Sequence, residues 1–136
     1  MKRILLTGAL VLLTALGLSA QSYRLVFPDD SIIPKAARPI VEQRLQQMLE
    51  AGGFTVSEAE GTPELEVSAI VTSRMETPGS MSQVALTIDL AVKAGGISEI
   101  FPLKGVGADE ADAWTRAAKM LLPRSKAAQA FVEKLR

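Results

Sequence analysis

Carboxylates are the only side chains grouped so that they could do acid–base or ion-binding chemistry. Asp29-Asp30 stand together after Pro28, and Asp109, Glu110 and Asp112 cluster after Gly105-Val106-Gly107. Two acids flanking a cleft are enough to hydrolyse a glycosidic bond, and a loop of oxygens at fixed spacing can hold calcium. The spacing here points elsewhere. No D-x-D-x-D-G loop is present. Asp29-Asp30-Ser31 has the composition of a turn, and acids in the first turn of a helix complement its dipole. No acid stands isolated in an apolar setting that would raise its pKa. Structural roles account for both groups, and no catalytic, cofactor-binding or metal-ligating residue is assigned.

Composition narrows the chemistry further. The 136 residues include no histidine and no cysteine. The commonest general base and the commonest metal ligand are therefore missing. Zinc fingers, HExxH sites, Ser-His-Asp triads and Cys-His pairs are excluded, as is any disulfide framework. Gly105-Val106-Gly107 ahead of a helix invites a phosphate-binding reading. A P-loop, however, needs Lys-Ser or Lys-Thr after its glycines, and a dinucleotide site needs a third glycine. Neither is present, and Asp109, Glu110 and Asp112 would repel phosphate. The segment reads as a tight turn that feeds a helix, with Lys104 beside it solvated.

The first residues carry an address. Lys2 and Arg3 precede an uncharged run from Ile4 to Leu18, and Leu18-Ser19-Ala20 places a small residue at a cleavage position. That is the layout of a secretory signal peptide, and the apolar run is shorter than the roughly 20 residues of a bilayer-spanning helix. Residues 1–20 are thus expected to be a cleaved signal, with one domain over 21–136. The address is periplasmic or secreted, with no integral span after cleavage and no lipid-modified cysteine. Lys2 and Arg3 leave with the signal, so 15 basic residues fall to 13 against 15 acidic ones, a net charge of −2. Nucleic acid is not an expected partner, because phosphate binding needs a basic excess and base stacking needs aromatic platforms. No cofactor is expected.

The mature stretch is of ordinary domain length, about 116 residues. Tyr23–Phe27 reads as a strand closed by Pro28. A helix runs from about Ala36 or Ala37 to Ala51, with Val41, Leu45, Met48 and Leu49 at helical spacing, Pro39 in its first turn and Gly52-Gly53 as its stop. Phe54–Ser57 is a second strand. Leu65, Val67, Ala69, Val71 and Met75 alternate with polar residues, and only Ile70 departs from the pattern. Val84, Leu86, Ile88, Leu90 and Val92 alternate cleanly. Lys93–Ile97 reads as a hairpin loop. A last strand spans about Ser98–Leu103, where Pro102 demands an edge or a bulge. Ala111, Trp114, Ala117, Ala118 and Leu121 form the apolar face of a helix, which favours burial of Trp114 over a ligand-platform role. Pro123 is expected to open a second helix, with Ala127, Ala128, Phe131, Val132 and Leu135 as its stripe. That helix, 123–135, either packs on the core or stays peripheral to dock a partner; packing is favoured. The order predicts an α+β two-layer sandwich, a mainly antiparallel four- to five-stranded sheet with helices on one face.

Several short segments carry a resemblance. Leu86-Thr-Ile-Asp-Leu90, Gly95-Gly96, Lys104-Gly-Val-Gly107 with the Ala-rich helix Ala111–Leu121, and the transition Glu50-Ala-Gly-Gly-Phe54 resemble small exported bacterial proteins with a flagellar-assembly or penicillin-binding-protein-activator type domain. The resemblance implies a βαβββα-like fold and a non-catalytic assembly or adaptor role at the cell envelope. It brings no catalytic residues. The element order is also similar to that of the lipopolysaccharide-assembly lipoprotein that plugs an outer-membrane translocon.

The expected function is a binding or assembly module that meets an envelope protein. Its expected contacts are the polar sheet face, with Thr72, Arg74, Thr87 and Asp89, and the strand edge near Pro102, since an unpaired edge is a template for strand addition. The alternatives are a small-ligand carrier using a groove between helix and sheet, and a carboxylate-only glycan hydrolase.

Overall fold

The computed structural model describes residues 21–136; the signal peptide expected over residues 1–20 lies outside them. The chain runs β1 (Ser22–Val26), α1 (Arg38–Ala51), β2 (Thr55–Val56), β3 (Glu64–Thr77), β4 (Gln83–Ala94), β5 (Ile97–Gly107), α2 (Glu110–Lys119) and α3 (Lys126–Leu135). This is strand, helix, strand, three-stranded meander and two helices, the order read from the sequence. It exceeds the implied βαβββα pattern by one strand and one helix.

The sheet order is β2-β1-β3-β4-β5. The β3–β4 and β4–β5 pairs are antiparallel. β1, however, is parallel to both of its neighbours over short ladders, so the sheet is mainly antiparallel, as expected, with a short parallel side. The cause is connectivity. A parallel neighbour requires a crossover, and α1 supplies one between β1 and β2.

Local chemistry explains the boundaries. α1 begins with Pro39 in its first turn, where the missing N–H costs nothing. It ends in a paired hydrogen-bond motif: Phe54 N–H donates to the Leu49 carbonyl at 2.9 Å and Gly53 N–H to that of Glu50 at 3.1 Å. Gly53 has φ 88°, the left-handed conformation that this helix stop needs. The Arg136 guanidinium also donates to the Gly52 carbonyl, at 2.8 Å. α3 starts later than Pro123 predicts, because Ser125 is the N-cap and accepts from Ala128 N–H at 3.2 Å. Its side chain satisfies a donor that proline could only remove.

The core lies between the sheet and the helices. Val84, Leu86, Ile88, Leu90 and Val92 of β4 face it, with Phe101 and Leu103 of β5 beside them. The helices add Val41, Leu45, Met48 and Leu49 from α1, Trp114, Ala117 and Ala118 from α2, and Ala128, Phe131, Val132 and Leu135 from α3. Phe131 is fully buried, edge-on to Phe101 with ring centroids 6.2 Å apart. The C-terminal stripe therefore packs on the core.

β5 differs most from the sequence reading. It continues through Gly107 instead of stopping near Leu103, and Gly105, Val106 and Gly107 pair with Leu86, Ala85 and Val84. The glycines are extended strand, not a turn. They are small because α2 crosses directly over them. A Cβ on Gly105 would fall 2.5 Å from Ala117 N and 2.9 Å from Ala117 Cβ, and one on Gly107 would fall 2.6 Å from Ala113 N. Cβ atoms essentially never approach backbone that closely.

Candidate functional site

The face of the sheet without helices is the candidate site. Register places its side chains in rows across β3, β4 and β5. Ser68, Ala91 and Ile100 form one row, and Ile70, Asp89 and Pro102 the next. Ser73, Thr87 and Lys104 follow, and Met75, Ala85 and Val106 close the series. Ile70, Met75, Ile100 and Val106 are 67%, 69%, 56% and 50% exposed. Large apolar side chains are therefore presented to solvent, with Asp89, Thr87 and Lys104 between them.

Of the residues singled out from sequence, Thr87, Asp89 and Pro102 lie on this face. Arg74 does not. The β3–β4 register shifts between Val71 and Ser73, leaving Thr72 unpaired in a bulge, its hydroxyl donating to the Thr87 carbonyl at 3.1 Å. One inserted residue reverses every side chain beyond it. Arg74 then pairs in register with buried Leu86, on the helix side, and Met75 with Ala85 on the open side. Simple alternation predicts the opposite for both. Arg74 instead donates from Nε to Glu110 at 2.8 Å and from Nη1 to Glu76 at 3.2 Å. These bonds tie β3 to the start of α2.

Sequence reasoning missed Ile100, Val106 and Met75 as members of the open face. Ile100 was accessible by period 2 from Pro102. Val106 was hidden by the early end assigned to β5, and Met75 by the bulge. Ile70, the one break in the alternation of β3, was the visible signal. Pro102 sits in register with Asp89 on an edge strand, where a missing donor can face outward.

The acidic clusters have local partners or lie in solvent. Asp29 and Asp30 are exposed in a turn. Asp109 is the N-cap of α2 and accepts from Asp112 N–H at 2.8 Å. Asp112 in turn accepts from Ala108 N–H at 3.0 Å and from Arg116 at 3.2 Å. The Ala108 amide first, then Arg116, hold its carboxyl below the usual 3.8, the wrong direction for a general acid near neutral pH. Among the described residues no three potential metal-ligating side chains come together. Core side chains occupy most of the interval between helices and sheet, and a pocket of about 190 Å³ remains between β5 and the α2–α3 link, lined by Phe101, Leu103, Met120 and Leu121 among others. A cavity of about 450 Å³ lies between the end of α1 and α3, lined by Met48, Gly52, Val132, Arg124 and Arg136 among others.

These groups set a pH profile. Asp112 has a depressed pKa in the fold, so its contribution to stability is complete above the unfolded value near 3.8 and is lost as pH falls through the folded one. Burial raises the Tyr23 phenol above 10.0. Its contribution is complete below that pH and is lost as pH rises through the folded value. With no histidine or cysteine, no side chain has an ordinary pKa between about 5 and 8. Thermal melts are expected to give a flat midpoint across about pH 5.5–8 and a fall at each extreme. A sloping midpoint inside that window would contradict this account.

No protein-family model matches the chain, and no curated protein matches it. Among solved structures, a minor lipoprotein from Acinetobacter baumannii is 17% identical, with 87% of this chain and 94% of that one covered at a TM-score of 0.47. A hypothetical protein from Chlamydia trachomatis is 8% identical, with 86% and 94% covered at a TM-score of 0.31. Neither likeness is close enough to bear on function. Among the described residues no helix is long and apolar enough to cross a membrane.

Proposed function

We propose that this protein is an exported, non-catalytic binding or assembly module that meets a protein of the cell envelope through the open face of its sheet. The observation that carries the reading is the open face itself. Strands β3 and β5 present Ile70, Met75, Ile100 and Val106 to solvent on one surface, with Ala85, Thr87 and Asp89 of β4 between them. Large apolar side chains gathered on one surface and interleaved with polar groups mark interaction sites. Thr87, Asp89 and Pro102 lie among them. Thr72 and Arg74 act at one remove, Thr72 by forming the bulge that aims Met75 outward and Arg74 by anchoring β3 to α2. Residues 1–20 supply the export address.

The test is positional. A photo-crosslinking residue at Ile100 or Thr87, in the native host, is expected to capture one discrete envelope protein. The same residue at Gln47, exposed on α1, is expected to capture nothing. Equal capture from all three positions, or none from Ile100 and Thr87, would defeat the proposal.

A further inference from the structure

Besides the two-residue outer strand β2, the sheet has two long free edges, and they are built differently. β5 is the outer strand on one side. Pro102 interrupts its row of donors and Lys104 adds charge, both devices that discourage edge pairing. The other free edge belongs to β3. β1 pairs with β3 only at Glu64, Leu65 and Glu66. From Ser68 to Thr77, β3 has β4 on one side and, among the described residues, no strand on the other. This edge carries no proline and no glycine. Every residue from Thr72 to Thr77 is exposed, so both faces of this stretch are uncovered as well as its edge.

We infer that the free edge of β3 pairs with the same edge of a second copy of this chain, antiparallel, with the two-fold axis at Met75. Among registers centred between Arg74 and Glu76, the side chains favour that one. A two-fold interface must be complementary to itself. With the axis at Met75, Arg74 lies opposite Glu76 of the second copy, Glu76 lies opposite its Arg74, and Ser73 faces Thr77. Met75 meets Met75 on the open side. Moving the axis to Arg74 or to Glu76 sets like charges directly opposite, which destabilises a strand pair. Moving it by half that step sets open-side residues against helix-side ones. Centring it between Thr72 and Ser73 opposes the two bulges, where the ladder is already broken. In the isolated chain Arg74 serves two carboxylates, Glu76 and Glu110. In the pair it keeps Glu110 and exchanges its own Glu76 for that of the second copy. The contact spans only Ser73–Thr77, so the dimer is weak and concentration-dependent rather than permanent. It does not depend on the open-face function and leaves Ile100 and Thr87 accessible.

Three measurements on the mature chain test this. Sedimentation of the wild type is expected to show a monomer–dimer equilibrium. The chain has no cysteine, so a single Met75→Cys substitution reports on one contact. Opposed residues of an antiparallel pair have Cα atoms about 4.5–5.5 Å apart, within disulfide reach. On oxidation Met75→Cys is expected to run as a covalent dimer, and Ile100→Cys, on the guarded edge strand, as a monomer. Charge exchange supplies the third. Arg74→Glu alone and Glu76→Lys alone each oppose like charges and are expected to weaken self-association at least about tenfold. Mixing the two variants sets the introduced glutamate of one chain opposite the introduced lysine of the other, and the native Glu76 of the first opposite the native Arg74 of the second. The mixture is expected to restore dimer to about the wild-type level. Circular dichroism of each variant establishes that it is folded. A wild type that stays monomeric up to about millimolar concentration would overturn the pairing, as would a Met75→Cys chain that fails to crosslink or a mixture no more associated than its parts. None of these results would touch the crosslinking test of the open face, so the two readings fail separately.

Discussion

Replacing Gly105 by alanine is expected to cost about 3 kcal/mol and to lower the melting temperature by roughly 10 °C or more. The new methyl group would collide with the Ala113 carbonyl oxygen and stand 2.5 Å from Ala117 N and 2.9 Å from Ala117 Cβ. All three atoms belong to the body of α2. None is the far end of a flexible side chain, so relief requires the helix to lift off β5. Overpacking usually costs about 1–3 kcal/mol, and this site belongs at the upper end because the obstacle is backbone. Against a typical stability of about 5–15 kcal/mol, that is a large loss. Trp114 lies on α2 and is buried, so its emission should shift to the red if the helix is displaced. Gly96→Ala is the control: a Cβ there meets nothing within 4 Å, and its φ is not in the left-handed region. It is expected to change stability by less than about 0.5 kcal/mol. A Gly105→Ala protein that melts together with Gly96→Ala would show that α2 is not held against the strand.

Phe131→Ala is expected to cost about 3–5 kcal/mol, the usual range for deleting a buried ring. Phe131 is fully buried and meets Phe101 edge-on at 6.2 Å, so its removal loses transfer free energy, leaves a cavity and breaks an aromatic pair worth about 0.5–1.5 kcal/mol beyond its area. Val132 beside it lies against Gly52, where an added Cβ would clash with the valine. α3 therefore closes the core and also meets the stop of α1. In chemical denaturation the midpoint should fall with little change in slope, because stability alone changes. A midpoint close to the wild-type value would make α3 an appendage and return its stripe to the role of a docking surface.

Much of the architecture was legible because it depends on short-range chemistry. Helical spacing of Val41, Leu45, Met48 and Leu49 and the Gly52-Gly53 stop define α1 with no knowledge of its neighbours. The alternation from Val84 to Val92 defines β4 and its buried face. Gly95-Gly96 fits a two-residue hairpin link between Ala94 and Ile97, with Gly95 at φ 62°. The candidate site was legible in part. Thr87, Asp89 and Pro102 follow from period 2 alone, and Ile70 announced itself by breaking the pattern. Alternation puts Arg74 and Met75 on the wrong faces, since a bulge at Thr72 reverses their sides and is a property of pairing with β4, not of β3 alone.

Taken by itself, the amino-acid order determined the element types, the absence of histidine and cysteine chemistry, the expectation of export and the helix-on-one-face class. Each depends on residue identity and on neighbours a few positions away. Tertiary structure decided the rest. It made the sheet mixed, because the direction of β1 is set by the crossover through α1. It extended β5 through Gly105-Val106-Gly107, where the glycines answer to a helix crossing above them rather than to a turn. And it left β3 with one unpaired edge, because strand pairing joins residues far apart in the chain and no local pattern records where a neighbour stops.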